Sequence, residues 1–495
     1  MPADYYTILG LSRETTPEQI RRAYHKAASR LHPDVNTEPG ATELFLHATE
    51  AYEILSDPVK RASYDAVLLI ESHEPDLIHL KTLFSRPALP YIGELQLIYA
   101  ILEVSSPPDL TPASPSATGP PLNVSLIIDR STSMKGERMD TVKASAVELV
   151  RQLKPDDFLS IIVFNDRAEV LMPADRYANS RSVETNIRLI QPYGGTEILQ
   201  GLMAGMSEVR RNLSKKHINH IILLTDGRTY GDEQECQELA DQAAELGIGI
   251  TGLGIGSEWN DNFLDELAAR TGGNSAYIVK PGDIKDFLRE KFRDLGRVYA
   301  EQLKLELHTA PEVKLNYAYR LRPDPMPIPL APSLRLGSVP SEPRNLSILL
   351  EFQVQPFPTG LTNSPLATGK LTFDVPSVSS SSTVPLELKL SVTSEFQNGN
   401  PPREIIQAVS QITLYRMQEK ARQEVNEGNI DKASDRLKNL AAHLYSQGKQ
   451  DLARTVLFEA NHIINTHTFT EEGEKRIKYG TRGLLLPDEN QGTDL

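Results

Sequence analysis

Cysteine is nearly missing from this chain: Cys236 stands alone among 495 residues. A single thiol closes no intrachain disulfide and excludes a cysteine-rich zinc site, and it fits a reducing compartment. Basic charge is also in deficit, with 52 Lys and Arg against 66 Asp and Glu and a net charge of −14. A general nucleic-acid binder needs a basic face, so that class is set aside. No apolar run approaches the ~18 residues that span a bilayer. The opening stretch "MPADYYTILGLSRE" lacks the apolar core behind basic residues that marks a secretory signal. The expected location is therefore cytoplasmic, with neither a membrane nor a nucleic acid as partner. What is present is a globular composition, 39% hydrophobic and 24% charged. At ~100–200 residues per domain the length implies three or four domains.

Local patterns divide the chain. Residues 1–70 read as helical. Thr16-Pro17-Glu18-Gln19 is a helix start, with Thr16 as cap, Pro17 in the first helical position and Gln19 completing a capping box. That helix must end near His32, because Pro33 biases the residue before it away from the α region. In the next helix Leu44, Ala48, Ala51 and Leu55 recur at helical spacing. Residues 71–120 contain a strand, "GELQLIYAILEV", in which Leu95, Leu97, Tyr99 and Ile101 alternate, followed by a Pro/Ser-rich linker. Residues 121–297 alternate near-continuous apolar strands with amphipathic helices, the signature of a parallel sheet covered on both faces. Residues 298–397 alternate strictly, as in Leu303, Leu305 and Leu307, and read as an antiparallel β-sandwich. The strands before residue 120 are expected to join that sandwich, with the α/β domain inserted between. Residues 402–486 read as helical hairpins broken at Gly428 and Gly448, and residues 487–495 as a disordered tail.

Two motifs carry function. The first is "RLHPDVN", which places His32, Pro33 and Asp34 in the turn after a helix bearing Arg21, Arg22, Lys26 and Arg30. "DYYTILGL" precedes it and "EAYEILSDPVKRASYD" follows. With these flanks, residues 1–70 resemble a J domain, the module by which Hsp40 co-chaperones stimulate the ATPase of Hsp70. The resemblance implies that His32, Pro33 and Asp34 form the trigger and that Arg21, Arg22, Lys26 and Arg30 dock on Hsp70. Tyr24 belongs to the same face or its edge. A basic stripe of this kind sets association rate more than affinity. His25 departs from the family, which commonly has a basic residue there, and weakens the docking charge at neutral pH. The Gly/Phe-rich stretch and Cys-rich zinc module of larger Hsp40 proteins are absent from the sequence.

The second motif is "LIIDRSTSMKGERMD", Leu126 to Asp140. Asp129, Ser131 and Ser133 are compatible with a nucleophile and its helpers, a phosphate cradle or oxygen ligands for a metal. Asp129 ends an apolar strand, where open α/β sheets bind ligands. Asp226 in "IILLTDG" ends another, and Thr196 lies in the glycine turn of "YGGTEIL". This all-oxygen set suits a hard divalent cation such as Mg²⁺. Against a nucleophile, no G-x-S-x-G elbow surrounds the serines, and His217 and His220 fall before the strand and not at its carboxyl end. A phosphoryl-transfer aspartate would have a second acid where Ser131 stands. Helix capping accounts for the serines but not for Thr196 and Asp226. The order D-x-S-x-S, Gly-Gly-Thr, T-D-G resembles the von Willebrand factor A domain and its metal-ion-dependent adhesion site. That resemblance implies a metal at Asp129, Ser131, Ser133, Thr196 and Asp226, with a partner's carboxylate completing the shell.

Other features receive plainer readings. "GLGIGS" reads as a tightly packed strand end and not a dinucleotide loop, Cys236 as a buried thiol and Trp259 as packing. "EEGEKRIKYGTRGLLLP" reads as a basic helix and then an apolar end that could close the helical tail onto the sandwich; a solvated charged face is the favoured reading, a partner groove the second. The expected whole is multidomain: an all-α J domain, a Rossmann-like α/β A domain, an antiparallel β-sandwich and C-terminal α-helical hairpins. The expected function is a non-enzymatic adaptor that recruits Hsp70 to a protein partner. The alternatives are a metal-dependent scaffold without chaperone activity and, behind it, a metal-dependent phosphoesterase.

Overall fold

The computed structural model describes residues 5–11, 15–31, 41–57, 60–61, 77–90, 92–107, 119–176, 180–229, 231–341, 345–356, 363–378, 380–393 and 400–485. They fall into two compact units, Met1–Leu77 and Ile78–Leu495. No helix among the described residues is long and apolar enough to cross a membrane.

The first unit contains α1 (Tyr5–Ile8), α2 (Pro17–Leu31) and α3 (Ala41–Leu55). The capping box forms as expected: the Thr16 N–H donates to Gln19 Oε1 at 2.8 Å, and the Gln19 N–H donates to Thr16 Oγ1 at 3.4 Å. Tyr6, Leu9, Ile20, Ala48, Ala51 and Leu55 make the core. Leu44, expected on the same stripe, is exposed. Arg61 donates to the Tyr6 hydroxyl and the Thr15 carbonyl, tying the end of the described helical segment to the core.

The second unit opens with β1 (His79–Phe84), β2 (Ala88–Pro90) and β3 (Gln96–Ser105). An α/β segment follows: β4 (Leu122–Asp129), α4 (Glu137–Gln152), β5 (Phe158–Phe164), β6 (Ala168–Arg176), α5 (Ser180–Arg188), α6 (Ile198–Arg211), β7 (Ile218–Thr225), α7 (Glu233–Glu245), β8 (Gly249–Ile255), α8 (Asp261–Thr271), β9 (Asn274–Ile278) and α9 (Asp283–Leu295). Its sheet runs β6-β5-β4-β7-β8-β9, with only β6 antiparallel to its neighbour. Successive strand residues face opposite sides. Thus Leu126 and Ile128 pack under α4, α5 and α9, while Ile127 packs under α6, α7 and α8. Both faces are apolar, which is why these strands read as continuous hydrophobic runs.

The chain then forms β10 (Val298–Thr309), β11 (Val313–Arg322), β12 (Met326–Pro327), β13 (Ser333–Pro340), β14 (Leu346–Val354), β15 (Asn363–Val375) and β16 (Ser380–Thr393). Two five-stranded sheets result, β1-β3-β14-β11-β12 and β13-β10-β15-β16-β2. Strands on either side of the α/β segment therefore share both sheets: β3 pairs with β14, and β2 with β16. The sequence reading of β3 assigned the wrong face at its start. Leu95 and Leu97 are exposed, and the sandwich interior is lined by Ile98, Ala100, Leu102 and Val104. Further along, Ile101 is buried on the opposite face, because helix residues Ile405, Ala408 and Ile412 cover it.

Arg320 of β11 fixes the sandwich to the α/β segment. Its guanidinium donates to the carbonyls of Gly272 and Gly273 beyond α8, and to those of Leu336 and Asp324 within the sandwich. Four helices close the chain: α10 (Arg403–Asn426), α11 (Ile430–Ser446), α12 (Gln450–Thr466) and α13 (Glu471–Gly483). Gly428 and Gly448 adopt φ of 78° and 75° at the turns, as a helix C-terminus favours. The expected solvated charged face on α13 holds for Glu471, Glu472 and Arg476, which are exposed, but not for the other basic residues. Lys475, Lys478 and Arg482 are buried, because Asp261 and Asp265 of α8 pair with Lys478 and Arg482 and the Ser257 carbonyl receives Lys475.

Candidate metal centre

Of the residues expected to meet a chaperone, His32, Pro33 and Asp34 lie outside the described residues. Arg21, Arg22, Lys26 and Arg30 are exposed along α2. Tyr24 is half-buried, its ring stacked on Tyr52 at a centroid distance of 4.2 Å. It therefore sits at the edge between core and outward face.

The five oxygen-bearing residues of the second motif come together. β4 and β7 are central neighbours, so Asp129 and Thr225 finish side by side at the carboxyl edge of the sheet. Beyond β4 the chain turns into a short 3₁₀ segment, Thr132–Met134, which holds Ser131 and Ser133 with their hydroxyls 3.0 Å apart. Ser133 Oγ donates to Asp226 Oδ1 at 2.7 Å, and Ser131 Oγ lies 3.5 Å from the same atom. The loop carrying Thr196 is clipped on by two backbone bonds, from the Tyr193 N–H to the Arg130 carbonyl and from the Thr132 N–H to the Gly194 carbonyl. Gly194 has φ 82°, and a Cβ there would lie 2.7 Å from the side chains of Asn165 and Asp166, so the close approach needs glycine. Thr196 Oγ1 lies 2.9 Å from where a Cβ on Gly227 would be, which places its hydroxyl against the backbone following Asp226.

Asp129 and Asp226 are fully buried, whereas Ser133 is exposed and Thr196 half-buried, so the cluster opens to solvent on the serine–threonine side. Asp129 Oδ1 accepts from the Ser131 N–H at 2.8 Å, and Oδ2 accepts from Thr225 Oγ1 at 2.7 Å. Burial outweighs these bonds and, with Asp226 nearby, raises its pKa to about 6. Among the described residues no cation pairs with Asp129. Asp226 has one: Arg138 Nη1 lies 2.6 Å from Oδ2. Two carboxylates and three hydroxyls, with one cation between them, form a donor set suited to a hard divalent ion. Among the described residues no cluster of three or more His, Cys, Asp or Glu could hold a metal, so hydroxyl ligands are indispensable to any such site.

Comparison with known proteins identifies the domains that these elements form. A family model described as "DnaJ domain" matches residues 4–65, and "von Willebrand factor type A domain" matches residues 123–290. A third, "Sll0103-like, C-terminal alpha-helical domain", matches residues 403–487. The chain joins a DnaJ domain to a von Willebrand factor type A domain. It is similar to the uncharacterized protein sll0103 of Synechocystis, at 25% identity over 74% of this chain and 89% of that one. The DnaJ domain is similar to chaperone protein DnaJ of Methanosarcina thermophila, at 61% identity over 12% of this chain and 16% of that one. The chain thus spans only a small part of such chaperones. Among solved structures, a von Willebrand factor type A protein from Catenulispora acidiphila shares the fold with a TM-score of 0.64, at 15% identity over 82% of this chain and 96% of that one. The ArnB paralog VWA2 from Sulfolobus acidocaldarius does so with a TM-score of 0.52, at 16% identity over 83% and 99%.

Several residues of the A domain that bear on the site carry no signal in the sequence. Thr225 orients Asp129, yet its hydroxyl reads simply as part of a strand end. Arg138 reaches Asp226 from the first turn of α4. Arg228, two residues past Asp226, donates to the Glu258 carbonyl and pairs with Glu471 of α13 at 2.9 Å. The C-terminal helices therefore touch the loop that carries Asp226. Trp259 and "GLGIGS" behave as expected. Trp259 is buried over Gly254, where a Cβ would collide with the indole, so the glycines serve packing. His220 lies within β7 rather than before it, buried at the far end of the strand and bonded to Thr251 at 2.8 Å.

Proposed function

We propose that this protein is a co-chaperone adaptor. Its DnaJ domain engages an Hsp70 chaperone and stimulates ATP hydrolysis, and its A domain grips a protein partner through a divalent metal. In this reading His32, Pro33 and Asp34 form the trigger, while Arg21, Arg22, Lys26 and Arg30 dock on the chaperone. Their exposure along one helix supports the docking role. Tyr24 steadies that helix from its edge through Tyr52.

The observation that carries the A-domain half is the convergence of Asp129, Ser131, Ser133, Thr196 and Asp226 at one solvent-facing mouth. Mg²⁺ is the ion proposed, since Mg²⁺ tolerates few protein carboxylates and retains exchangeable positions. When bound it would supply a positive centre for a partner's Asp or Glu. The chain's own residues do the remainder: Thr225 and the Ser131 N–H fix the Asp129 carboxylate, Ser133 fixes Asp226, and Arg138 offsets part of the charge. A buried charge without an adjacent cation is expensive, which favours occupation. An enzymatic reading finds less support: both histidines near this sequence, His217 and His220, belong to the opposite end of β7. A cytoplasmic location is part of this reading, supported by the proposed Hsp70 partnership and by the single buried thiol.

Calorimetric titration with Mg²⁺ and Mn²⁺ tests the site. Wild type is expected to bind one ion and Asp129→Ala none, with both chains giving the same far-UV spectrum. Equal binding by the two would refute the assignment. Turnover of generic phosphoesters by the wild type, lost in Asp129→Ala, would instead favour a phosphoesterase.

A further inference from the structure

At the end of the A-domain sheet opposite Asp129, a cavity of about 610 Å³ opens against the sandwich. Its walls come from the α6–β7 connection with Lys215, the α7–β8 turn with Glu245 and Gly247, and strands β10, β15 and β16. A volume of this size is typical of small-molecule sites.

Three features of β10 are unexplained by folding alone. Glu301 is only 7% exposed, yet among the described residues its carboxyl has no hydrogen-bond or ion-pair partner, and it lines the cavity. Its oxygens are not sealed off from solvent, so the carboxyl is reachable from the cavity side. Glu301 also sits directly across the ladder from Asp374, and burial first, with that neighbouring carboxylate second, pushes its pKa well above the ordinary range. Gln302, next in sequence, has φ 55° at a break in register with both neighbouring strands. Such left-handed, bulged positions in non-glycine residues gather near functional sites. The break also brings Lys304 to the same cavity as Glu301. Lys304 has no ion-pair partner among the described residues. Asp374, by contrast, is already held, by the Ser381 hydroxyl and by Lys215 at 3.8 Å.

A free carboxyl and a free ammonium facing one cavity complement a ligand carrying both charges. A metal ion would need more donors than these carboxylates supply: among the described residues no group of three acids, histidines or cysteines could hold one. A simple polyamine would bring positive charge towards Lys304 and Lys215. We propose that this cavity binds a free amino acid, its ammonium group taken by Glu301 beside Asp374 and its carboxylate by Lys304. The ligand would resolve the unpaired carboxyl and bridge the A domain to the sandwich.

Thermal melting and calorimetry on the full chain test this, with the twenty amino acids as probes and putrescine and acetate as single-sign controls. Chelator is present throughout, so the metal centre plays no part. At least one amino acid should raise the melting temperature and bind saturably, and neither control should. Glu301→Gln, which keeps size and hydrogen-bonding capacity, should weaken that binding at least tenfold. Lys304→Met, at a half-buried position, should do the same and serves if the first variant does not fold. Absence of binding by every amino acid, binding of putrescine alone, or unchanged affinity in a folded variant would overturn the proposal.

Discussion

At the scale of single residues, the A-domain centre is set by groups that surround its oxygens. Thr225 gives Asp129 one of its two donors and also accepts from the Gly227 N–H at 3.2 Å. Thr225→Val keeps the shape and removes the hydroxyl. Outer partners of this kind are worth roughly 10–100-fold in metal affinity, so calorimetry should find Mn²⁺ binding weakened by about that range. Arg138 acts with the opposite sign, because its guanidinium occupies Asp226 Oδ2 and opposes an incoming cation. Arg138→Met should tighten Mn²⁺ binding by about threefold or more, as removal of a like charge several ångströms away implies. If both substitutions weaken binding, Arg138 positions Asp226 and does not compete. Neither role was legible in the sequence. The convergence of Asp129, Ser131 and Ser133 was, because their spacing lies within five residues and the strand end places them. Thr225 and Arg138 matter only through where β7 and α4 come to lie.

At the scale of elements, α13 shows why charge pattern alone misleads. Its basic residues suggest a solvated face, but the partners of Lys478 and Arg482, Asp261 and Asp265, lie more than two hundred residues earlier, on α8. Lys478 reaches Asp261 at 2.5 Å and Asp265 at 2.7 Å, and Arg482 pairs with Asp265. Burial alone would raise the Asp265 pKa, but Arg482 and Lys478 overcome that and hold the carboxyl well below its usual range. Asp265→Asn leaves two buried cations short of a partner. The cost is about 3–5 kcal/mol, read as a lower urea midpoint. A depressed folded-state pKa gives stability that is present above the unfolded carboxylate value and lost as pH falls through the folded one. The gap between wild type and Asp265→Asn should thus be full at neutral pH and begin to narrow only below about pH 4. A gap that is constant down to the acid limit would contradict this origin. The alternation of β3 was likewise half-legible. Both of its faces are covered in part, one by the sandwich and one by α10, so the apolar pattern did not by itself select the interior.

At the scale of the whole molecule, the sequence disclosed the modules better than their joints. Parallel-sheet strands, sandwich alternation and glycine-ended helices each follow from local rules. The union of strands before and after the A domain, the Arg320 bond across to Gly272 and Gly273, and the meeting of Arg228 with Glu471 depend on distant segments. A bound ion at a hundredfold excess over its dissociation constant stabilises by about 2.7 kcal/mol. Chelator should therefore lower the melting temperature of the wild type and leave Asp129→Ala unmoved; equal shifts would mean the ion acts elsewhere. In the proposed reading one chain carries two separable activities, chaperone recruitment and metal-dependent grip. The most direct measurement is single-turnover ATP hydrolysis by an Hsp70 in the presence of wild type, His32→Gln and Asp129→Ala. Wild type and Asp129→Ala should accelerate hydrolysis equally, and His32→Gln should not accelerate it. Failure of the wild type to accelerate hydrolysis, or equal acceleration by His32→Gln, would contradict that reading.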